Sequence, residues 1–340
     1  MKISAATLIK KNFIKVLDLN LPKLKKGQVL VKIKYSSICH TQIQEIMGLR
    51  GKDRYLPHCL GHEATGLVKE VGPGVKKVRK NDKVCLTWLQ SDGKKASGVK
   101  YLHKKKIING GPVNTFSNYA TVSENRILKL PKKNNLKRDV LMGCAIPTAF
   151  NAVFNTLKDT TKDNIIIFGT GGVGLACIFA ARKVGFKKIF AFDRVYKKLQ
   201  VAKEFGATDI ILVKKSDHEL HLKKYENFFQ NGIECTGNLE LMKNGLKTIK
   251  NFGGRVVIIG NYPFKKEVKI DPWNFIMGKI VSGAWVNKFN YDKKFAIFYN
   301  KFKKFKWKKY FGKNIYKLDE IGLAIKDLRE GKVIRPLIKM

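Results

Sequence analysis

The 340-residue sequence has few acidic residues, few prolines and no closely spaced cysteine pair. The nine prolines and the absence of low-complexity stretches argue against a disordered linker. The six cysteines lie far apart without a Cys-x-x-Cys motif. In a chain of this length, reduced thiols or metal ligands are expected rather than a disulfide framework. The N-terminus carries no apolar segment typical of a secretory signal, so we expect a cytoplasmic protein.

The shortage of acidic residues leaves a large positive charge. Only 26 Asp and Glu stand against 68 Lys and Arg, which gives a formal charge of +42. Such a charge is compatible with binding to nucleic acid or to an anionic membrane. The lysines are spread over nearly every segment, however, which is typical of solvated faces. We therefore expect neither a specific nucleic-acid partner nor a membrane.

The sequence also lacks a long uninterrupted apolar run. The uncharged stretch at residues 165–181 is broken by four glycines in a loop pattern, which excludes a membrane span there. An apolar run, the glycines Gly169, Gly171, Gly172 and Gly174, and an apolar helical segment follow one another. This order is typical of a strand that turns sharply into a helix whose N-terminus binds phosphate groups.

The segments after residue 145 alternate between strand and helix patterns. Helical patterns such as 196–205 and 239–250 separate most of the candidate strands, which predicts a doubly wound parallel sheet. The candidate strands are 165–168, 188–192, 210–213, 232–234, 255–259 and 280–283. Asp193 ends the second strand, nineteen residues after Gly174, where a carboxylate binds the adenosine ribose and favours NAD over NADP. The alternatives are that Asp193 caps the next helix, and that Arg194 accommodates a 2′-phosphate.

The first part of the chain is predicted to be mainly β. Strand patterns cover 28–35, 84–88 and 114–122, and a short helix is predicted after residue 39. The polar, Lys-rich stretch 91–111 is predicted to be a surface loop. Near the C-terminus, 291–309 has four phenylalanines at helical spacing among lysines. This pattern fits either an interfacial helix or a surface helix that packs on the core, and we favour the second. A helix at 318–329 and a strand at 333–338 complete the prediction.

Several motifs together resemble the zinc-dependent alcohol dehydrogenases of the medium-chain dehydrogenase/reductase superfamily. They are Cys39-His40-Thr41, Gly61-His62-Glu63-Ala64-x-Gly66, Val71-Gly72-x-Gly74-Val75, Asp82-x-Val84, Gly143-Cys144, the glycine loop with Asp193, Phe205-Gly206-Ala207 and Gly331-Lys332-x-Ile334-Arg335. The match runs in order along essentially the whole chain. It implies a β-rich GroES-like catalytic domain (1–145 and 287–340) and an NAD-binding Rossmann domain (146–286).

The resemblance implies a catalytic zinc held by Cys39, His62 and Cys144. Two thiolates and one imidazole leave the fourth position open for substrate. Glu63 is expected behind the metal, and Thr41 is expected to take the alcohol proton, with an N-cap as its alternative role. The remaining cysteines, Cys59, Cys85, Cys177 and Cys235, are expected to be structural.

Further residues match cofactor contacts of the family. His40 and Arg335 correspond to positions that contact the pyrophosphate, and Lys198 to a lysine near the adenosine ribose, for which a solvated lysine is the alternative. Thr148 and Val173, the residue between Gly172 and Gly174, correspond to positions that pack on the nicotinamide.

The chain departs from the family at several positions. Gln44 replaces a histidine that ends the proton relay, and an amide is not a general base at neutral pH. Gln42 replaces a carboxylate that supports the zinc ligands, which is expected to lower or retune metal affinity. Residues 89–112 contain no cysteine, so we expect one catalytic zinc per chain and no structural zinc.

The predicted function is hydride transfer between an alcohol and NAD, reversible with an aldehyde or ketone, by a homodimer or homotetramer. Cys144 as a ligand favours simple alcohols over polyols. Two alternatives stay open at this point: a zinc-free quinone or enone reductase of the same superfamily, and a non-catalytic basic protein that binds nucleic acid or membranes on a dehydrogenase fold.

Overall fold

The computed structural model describes residues 1–214, 218–285, 291–312 and 314–340. The chain forms two compact units. The first contains Met1–Cys144, Asn287–Asn300 and Phe311–Met340, and the second contains Ala145–Val286 and Lys301–Tyr310. The predicted domain boundary at 286/287 lies outside the described residues.

The first 144 residues are mainly β, as predicted. The strands are β1 (Lys2–Lys10), β2 (Phe13–Asn20), β3 (Gln28–Ser37), β4 (His58–Cys59), β5 (Ala64–Val71), β6 (Lys83–Leu86), β7 (Val99–His103), β8 (Lys106–Gly111), β9 (Tyr119–Ser123) and β10 (Ile127–Lys129). Two short α-helices, α1 (His40–Ile46) and α2 (Leu136–Asp139), and two 3₁₀ turns, Glu124–Arg126 and Val140–Gly143, complete this part.

Strands of this unit form a closed barrel and a second sheet. The barrel order is β1-β2-β7-β8-β4, and the second sheet contains β10-β6-β5-β3 with β9 on β3. Alternate side chains of the barrel strands point inward, and the barrel core includes Ile3, Leu19, Val99, Tyr101 and Ile108. The sheet core is rich in valine, which suits a pleated, buried surface.

The prediction of a surface loop at 91–111 is wrong for residues 99–111. Residues 99–111 form the antiparallel hairpin β7–β8, whose Val99, Tyr101 and Ile108 are buried in the barrel. The exposed positions of these strands hold apolar Leu102 and Ile107 beside Lys100 and Lys106, so the sequence shows no clean alternation of apolar and polar residues. The two N-terminal strands, β1 and β2, were not predicted either.

The second unit contains the six-stranded parallel sheet that the alternating pattern predicts. Its strands are β11 (Asn164–Phe168), β12 (Lys188–Asp193), β13 (Asp209–Leu212), β14 (Asn231–Glu234), β15 (Arg255–Ile258) and β16 (Ile280–Gly283), in the order β13-β12-β11-β14-β15-β16. Its helices are α3 (Ala145–Phe150), α4 (Gly172–Lys183), α5 (Tyr196–Phe205), α6 (His218–Lys223), α7 (Leu239–Lys247) and α8 (Trp273–Ile276), with a π-helical turn at Asn151–Thr156.

The central strand β11 is buried on both faces. Ile165, Ile166, Ile167 and Phe168 are all fully buried, which is why this strand is a continuous apolar run without alternation. The core on one side of the sheet includes Phe192, Phe229 and Ile249.

The C-terminal part differs in detail from the prediction. The single helix predicted at 291–309 is two helices, α9 (Tyr291–Phe302) and α10 (Trp307–Phe311). Phe295, Phe298, Phe302 and Phe305 are all buried, which confirms the core-packing interpretation over an interfacial helix. The chain then forms β17 (Ile315–Lys317), α11 (Ile321–Arg329) and β18 (Leu337–Lys339), and β18 pairs with β3.

In the described ranges, none of the helices has the length and apolar character needed to cross a membrane.

Candidate active site

Three elements of the first unit bring Cys39, His62 and Cys144 together. Cys39 is the N-cap of α1, directly after β3. His62 follows the short strand β4, and Cys144 follows the 3₁₀ turn Val140–Gly143. One ligand atom from each side chain, two sulfurs and an imidazole nitrogen, lies within 4.8 Å of the other two.

This donor set fits a zinc ion. His62 Nε2 lies 3.3 Å from Cys144 Sγ. Tetrahedral zinc bonds of about 2.0–2.3 Å place ligand atoms roughly 3.3–3.8 Å apart, so the side chains need little rearrangement to share one ion. Both cysteines are buried and His62 is half-buried. Three ligands leave a fourth position open, as a site that binds substrate on the metal requires.

The thiols of Cys39 and Cys144 share one hydrogen bond, which shifts their pKa values in opposite directions. The bond from Cys144 lowers the pKa of the Cys39 thiol well below its usual value, although burial opposes this, and the nearby Arg335 charge adds to the lowering. The same hydrogen bond, together with burial, raises the pKa of the Cys144 thiol. Metal binding requires both thiols to ionise, because only the thiolate is a metal ligand.

Gly143 allows Cys144 to approach the site. A Cβ atom at Gly143 would lie 2.4 Å from the Leu86 carbonyl oxygen and 2.7 Å from Glu63 Cβ. Thr87 Oγ1 donates a hydrogen bond of 2.7 Å to the Gly143 carbonyl and holds the turn in place. The Gly-Cys order is therefore required by the close packing of this turn on β6 and Glu63.

Glu63 is fully buried beside His62. Its Oε1 accepts hydrogen bonds from Ser37 Oγ, at 2.5 Å, and from the Arg335 guanidinium. Its Oε2 has no hydrogen-bond partner among the described residues. Burial raises the pKa of the Glu63 carboxyl, and the Arg335 charge opposes that rise. Arg335, which the sequence predicts as a pyrophosphate contact, is only 3% exposed. Its Nε also donates a hydrogen bond of 3.2 Å to Ser37 Oγ.

Helix α1 presents three of the remaining predicted side chains. Thr41 lies inside the helix rather than at its N-cap, and its Oγ1 is 3.5 Å from Cys39 Sγ. Gln42 is buried, and its Nε2 lies 2.6 Å from His62 Nδ1. His40 is exposed at the first position of the helix.

In the second unit, the glycine loop has the geometry of a phosphate-binding turn. Gly169 has a φ of +89°, which favours glycine, and a Cβ at Gly174 would lie 1.8 Å from the Gly169 carbonyl oxygen. A Cβ at Gly171, by contrast, would meet nothing within 4 Å. The N-terminus of α4, which begins at Gly172, therefore has open space beside Gly171, and its first N–H groups have no partner inside the helix and suit a phosphate.

Asp193 connects the end of β12 to this loop. Its Oδ2 accepts hydrogen bonds from the Thr170 backbone N–H and from Thr170 Oγ1, at 2.7 and 2.8 Å, and its Oδ1 accepts one from the Val195 N–H. The N-cap of α5 is Val195, so Asp193 is not the cap. Arg194 is exposed, and Lys198, Thr148 and Val173 are half-buried.

Two contacts of the site were not predicted from the sequence. Ser37 binds Glu63, and Thr170 binds Asp193. Neither serine nor threonine has a distinctive spacing, and only their positions beside motif residues offered a signal. The other four cysteines are free thiols; Cys59, Cys85 and Cys177 are buried, and Cys235 is partly exposed.

Comparisons with known families agree with both parts of this description. The alcohol dehydrogenase GroES-like domain matches residues 25–132, and the zinc-binding dehydrogenase domain matches residues 172–298. The chain is 30% identical over 301 residues to an S-(hydroxymethyl)glutathione dehydrogenase of Photobacterium damsela subsp. piscicida, covering 80% of this chain and 81% of the relative.

Solved structures show the same architecture. A benzyl alcohol dehydrogenase from Acinetobacter calcoaceticus is 26% identical, with a TM-score of 0.86 over 100% of this chain and 99% of that chain. An alcohol dehydrogenase zinc-binding domain protein from Burkholderia ambifaria has the same TM-score and coverage at 23% identity. The chain belongs to the zinc-type alcohol dehydrogenases of the medium-chain dehydrogenase/reductase superfamily, and the predicted fold class, a GroES-like and a Rossmann domain, is confirmed.

Proposed function

We propose that this member of the family is a zinc-dependent dehydrogenase that transfers a hydride between an alcohol and NAD. The convergence of Cys39, His62 and Cys144 within 4.8 Å carries the proposal. A zinc-free reductase has no need of this buried set of two thiols and one imidazole.

The three ligands hold one zinc per chain in this proposal. Bound zinc supplies Lewis acidity, which lowers the pKa of an alcohol and polarises a carbonyl. Cys39 and Cys144 supply the thiolates, and His62 ligates through Nε2, the ring nitrogen that faces Cys144 Sγ. Glu63 lies behind this set, where Arg335 and Ser37 fix its orientation. Residues 89–112 lack the cysteines that a second, structural zinc needs.

Thr41 takes the proton of the alcohol. Its hydroxyl is half-buried and lies 3.5 Å from Cys39 Sγ, so it is held beside the ligand set. Gln44 cannot receive this proton as a base, and water carries it onward.

The cofactor binds the second unit through its pyrophosphate and adenosine ribose. The open space at Gly171 and the N-terminus of α4 receive phosphate, with Gly169, Gly172 and Gly174 shaping the turn. Asp193 binds the ribose hydroxyls, and its negative charge disfavours the 2′-phosphate of NADP. Lys198 lies near the same ribose, Thr148 and Val173 pack on the nicotinamide, and His40 and Arg335 contact the pyrophosphate.

We assign residues 1–145 and 287–340 to the catalytic domain and 146–286 to the cofactor domain. The six free cysteines suit a reducing compartment, and we place the enzyme in the cytoplasm.

The quaternary structure is proposed to be a homo-oligomer. Strand β16 ends the order of the parallel sheet in the described part of the chain, so its outer edge is open to a further strand. In the neighbouring helix α8, Trp273 is 60% exposed and Ile276 is 68% exposed. The Phe252 N–H donates a hydrogen bond to the Met277 carbonyl at the end of that helix, and Phe252 is itself 83% exposed. An exposed aromatic patch beside an open strand edge is typical of a self-association surface.

The substrate class is proposed to be primary alcohols. The relatives named above are dehydrogenases of S-(hydroxymethyl)glutathione and of benzyl alcohol, both of which carry a primary hydroxyl. The test is a screen for NAD⁺ reduction with benzyl alcohol, short primary alcohols, polyols and the glutathione–formaldehyde adduct, each repeated with NADP⁺. We expect turnover of at least one primary alcohol with preference for NAD⁺. Absence of turnover with every alcohol, or a preference for NADP⁺, would contradict the proposal.

A further inference from the structure

The carboxamide of Gln42 is the direct partner of the His62 ring. Gln42 Nε2 lies 2.6 Å from His62 Nδ1, and on the other side of the ring Nε2 lies 3.3 Å from Cys144 Sγ. Gln42 is only 3% exposed, so water does not compete for this contact. The arrangement joins one amide, one imidazole and one thiol in a row.

A neutral imidazole carries one proton, on either Nδ1 or Nε2. In the row as the structure has it, an Nε2 proton donates towards Cys144 Sγ, and Nδ1 accepts a hydrogen bond from the Gln42 NH₂ group. When His62 ligates a metal through Nε2, its proton lies on Nδ1 instead, and its partner must be an acceptor. Gln42 supplies that acceptor after its amide rotates by about 180°, because a carboxamide has a donor at one end and an acceptor at the other.

Rotation of the Gln42 amide breaks no hydrogen bond of its oxygen. Gln42 Oε1 is buried and makes no hydrogen bond to any residue that the structure describes. The amide can therefore turn either end towards His62, and the position of the His62 proton favours one orientation over the other.

We propose that Gln42 is a positioning residue that stabilises both tautomers of His62, the Nε2–H form without metal and the Nδ1–H form with metal. The inference rests on the proposed function for the identity of the metal. A carboxylate at position 42 accepts but cannot donate, so it stabilises the Nδ1–H form alone and adds a negative charge next to the ligand. Gln42 thus keeps the metal-free site ordered and makes zinc easier to release.

The test compares the full-length wild type with Gln42→Glu and with Gln42→Leu, an apolar side chain of similar size. The zinc dissociation constant is measured by competition with a chromophoric chelator. We expect Gln42→Glu to bind zinc about tenfold more tightly or better, and Gln42→Leu to bind about tenfold more weakly, because partners of a metal-binding histidine typically change affinity by about 10–100-fold. The matched control is Gln90→Glu, the same substitution at an exposed position of the same unit, which we expect to remain within twofold of wild type.

A second measurement reads the tautomer itself. Nitrogen-15 NMR of the histidine rings is expected to show His62 moving from Nε2–H to Nδ1–H when zinc is added to the wild type, and Nδ1–H in both states of Gln42→Glu. An Nδ1–H ring in the zinc-free wild type, or zinc affinities of wild type and Gln42→Glu within twofold, would overturn the inference. If Gln42→Leu does not fold, the comparison of the wild type with Gln42→Glu is sufficient to test the inference.

The outcome is separable from that of the proposed function. A wild type that binds zinc and shows the tautomer change but oxidises no alcohol upholds this inference and refutes the dehydrogenase proposal. An active zinc enzyme whose affinity is unchanged by Gln42→Glu does the opposite.

Discussion

At the scale of single residues, the proposed proton step depends on one hydroxyl group. Thr41 lies in the first turn of α1, and its Oγ1 is 3.5 Å from Cys39 Sγ. We expect Thr41→Val, which keeps the shape and removes the hydroxyl, to lower kcat by roughly 100-fold, in the usual range for loss of a proton-transfer group. The zinc content should not change, because Thr41 is not a ligand, and Thr41→Ser should retain activity. Valine at position 41 with kcat within threefold of wild type would show that the proton takes another path.

Glu124 makes a separate contribution, to stability. Its carboxylate is buried and accepts the backbone N–H groups of Lys76, Lys77 and Lys94 at 2.6–2.7 Å. Burial tends to raise the pKa of Glu124, but these hydrogen bonds and the Lys77 charge outweigh burial, and the pKa is lowered. A carboxyl whose pKa is lower in the folded state stabilises the fold above its unfolded pKa, and this stabilisation is lost as the pH falls through the folded pKa.

We therefore expect Glu124→Gln to reduce the free energy of unfolding by about 1.5 kcal/mol at pH 7. The difference from wild type should shrink as the pH falls below about 4.3, the unperturbed pKa of glutamate. Urea unfolding at several pH values measures it. Glu70→Gln, the same change at an exposed position, should show no such dependence. A constant difference between Glu124→Gln and wild type from pH 7 to pH 3 would contradict the assignment.

The residues of the zinc site also show what a single sequence can and cannot predict. Cys39, His62 and Cys144 are distant in the sequence, and no local spacing relates them, so only the family resemblance indicated the set. In the structure, one ligand atom of each of these three side chains lies within 4.8 Å of the other two. The Ser37–Glu63–Arg335 contacts could not be predicted, because they depend on how β3, the His62 turn and the C-terminal segment pack together.

At the scale of elements, the strand–turn–helix unit β11–α4 gives two glycines different roles. A Cβ at Gly174 would lie 1.8 Å from the Gly169 carbonyl oxygen, whereas a Cβ at Gly171 would meet no atom within 4 Å. Gly171 has a φ of −70°, which any residue adopts. Gly174 is thus required for the close packing of α4 on the loop, whereas Gly171 keeps space open.

We expect Gly174→Ala to destabilise the protein by about 3 kcal/mol, because the added methyl group forces the helix and loop apart. Gly171→Ala should fold with stability within about 0.5 kcal/mol of wild type but raise the KM for NAD⁺ at least tenfold, because the methyl group enters the space proposed for phosphate. Thermal unfolding and steady-state kinetics measure the two effects. Unchanged NAD⁺ kinetics in Gly171→Ala would place the cofactor elsewhere.

The elements also show where pattern analysis succeeded. The parallel strands of the second unit were predicted because buried apolar runs and helical patterns alternate there. The hairpin β7–β8 was missed because its exposed positions mix lysine with the apolar Leu102 and Ile107, so apolar and polar residues do not alternate cleanly. Burial of Val99, Tyr101 and Ile108 shows that the segment is anchored in the barrel. The break between α9 and α10 was missed because the phenylalanine spacing continues across it, while tertiary packing determines where each helix ends.

At the scale of the whole molecule, the positive charge and the exposed apolar surface lead to different expectations. The charge of +42 is spread over the chain and keeps single molecules apart. Trp273, Ile276 and Phe252 of the second unit are exposed, and the proposed association of two copies would cover them.

We expect the wild type to be at least a dimer by analytical ultracentrifugation at micromolar concentration and about 0.15 M salt, where surface charges are screened beyond about 8 Å. The double variant Trp273→Ser, Ile276→Lys should sediment as a monomer while unfolding at the same temperature as a control with Leu220→Ser, another exposed apolar residue of the second unit. A monomeric wild type would refute the proposed oligomer and leave the zinc site unaffected.

The most direct test of the central claim is the zinc content of the purified protein together with its dependence on chelation. The account predicts one zinc per chain, loss of NAD⁺-dependent alcohol oxidation when a chelator removes the metal, recovery on adding zinc, and no zinc retained by the double variant Cys39→Ser, Cys144→Ser. Alcohol oxidation that persists after complete removal of zinc, or a wild type that binds none, would contradict it.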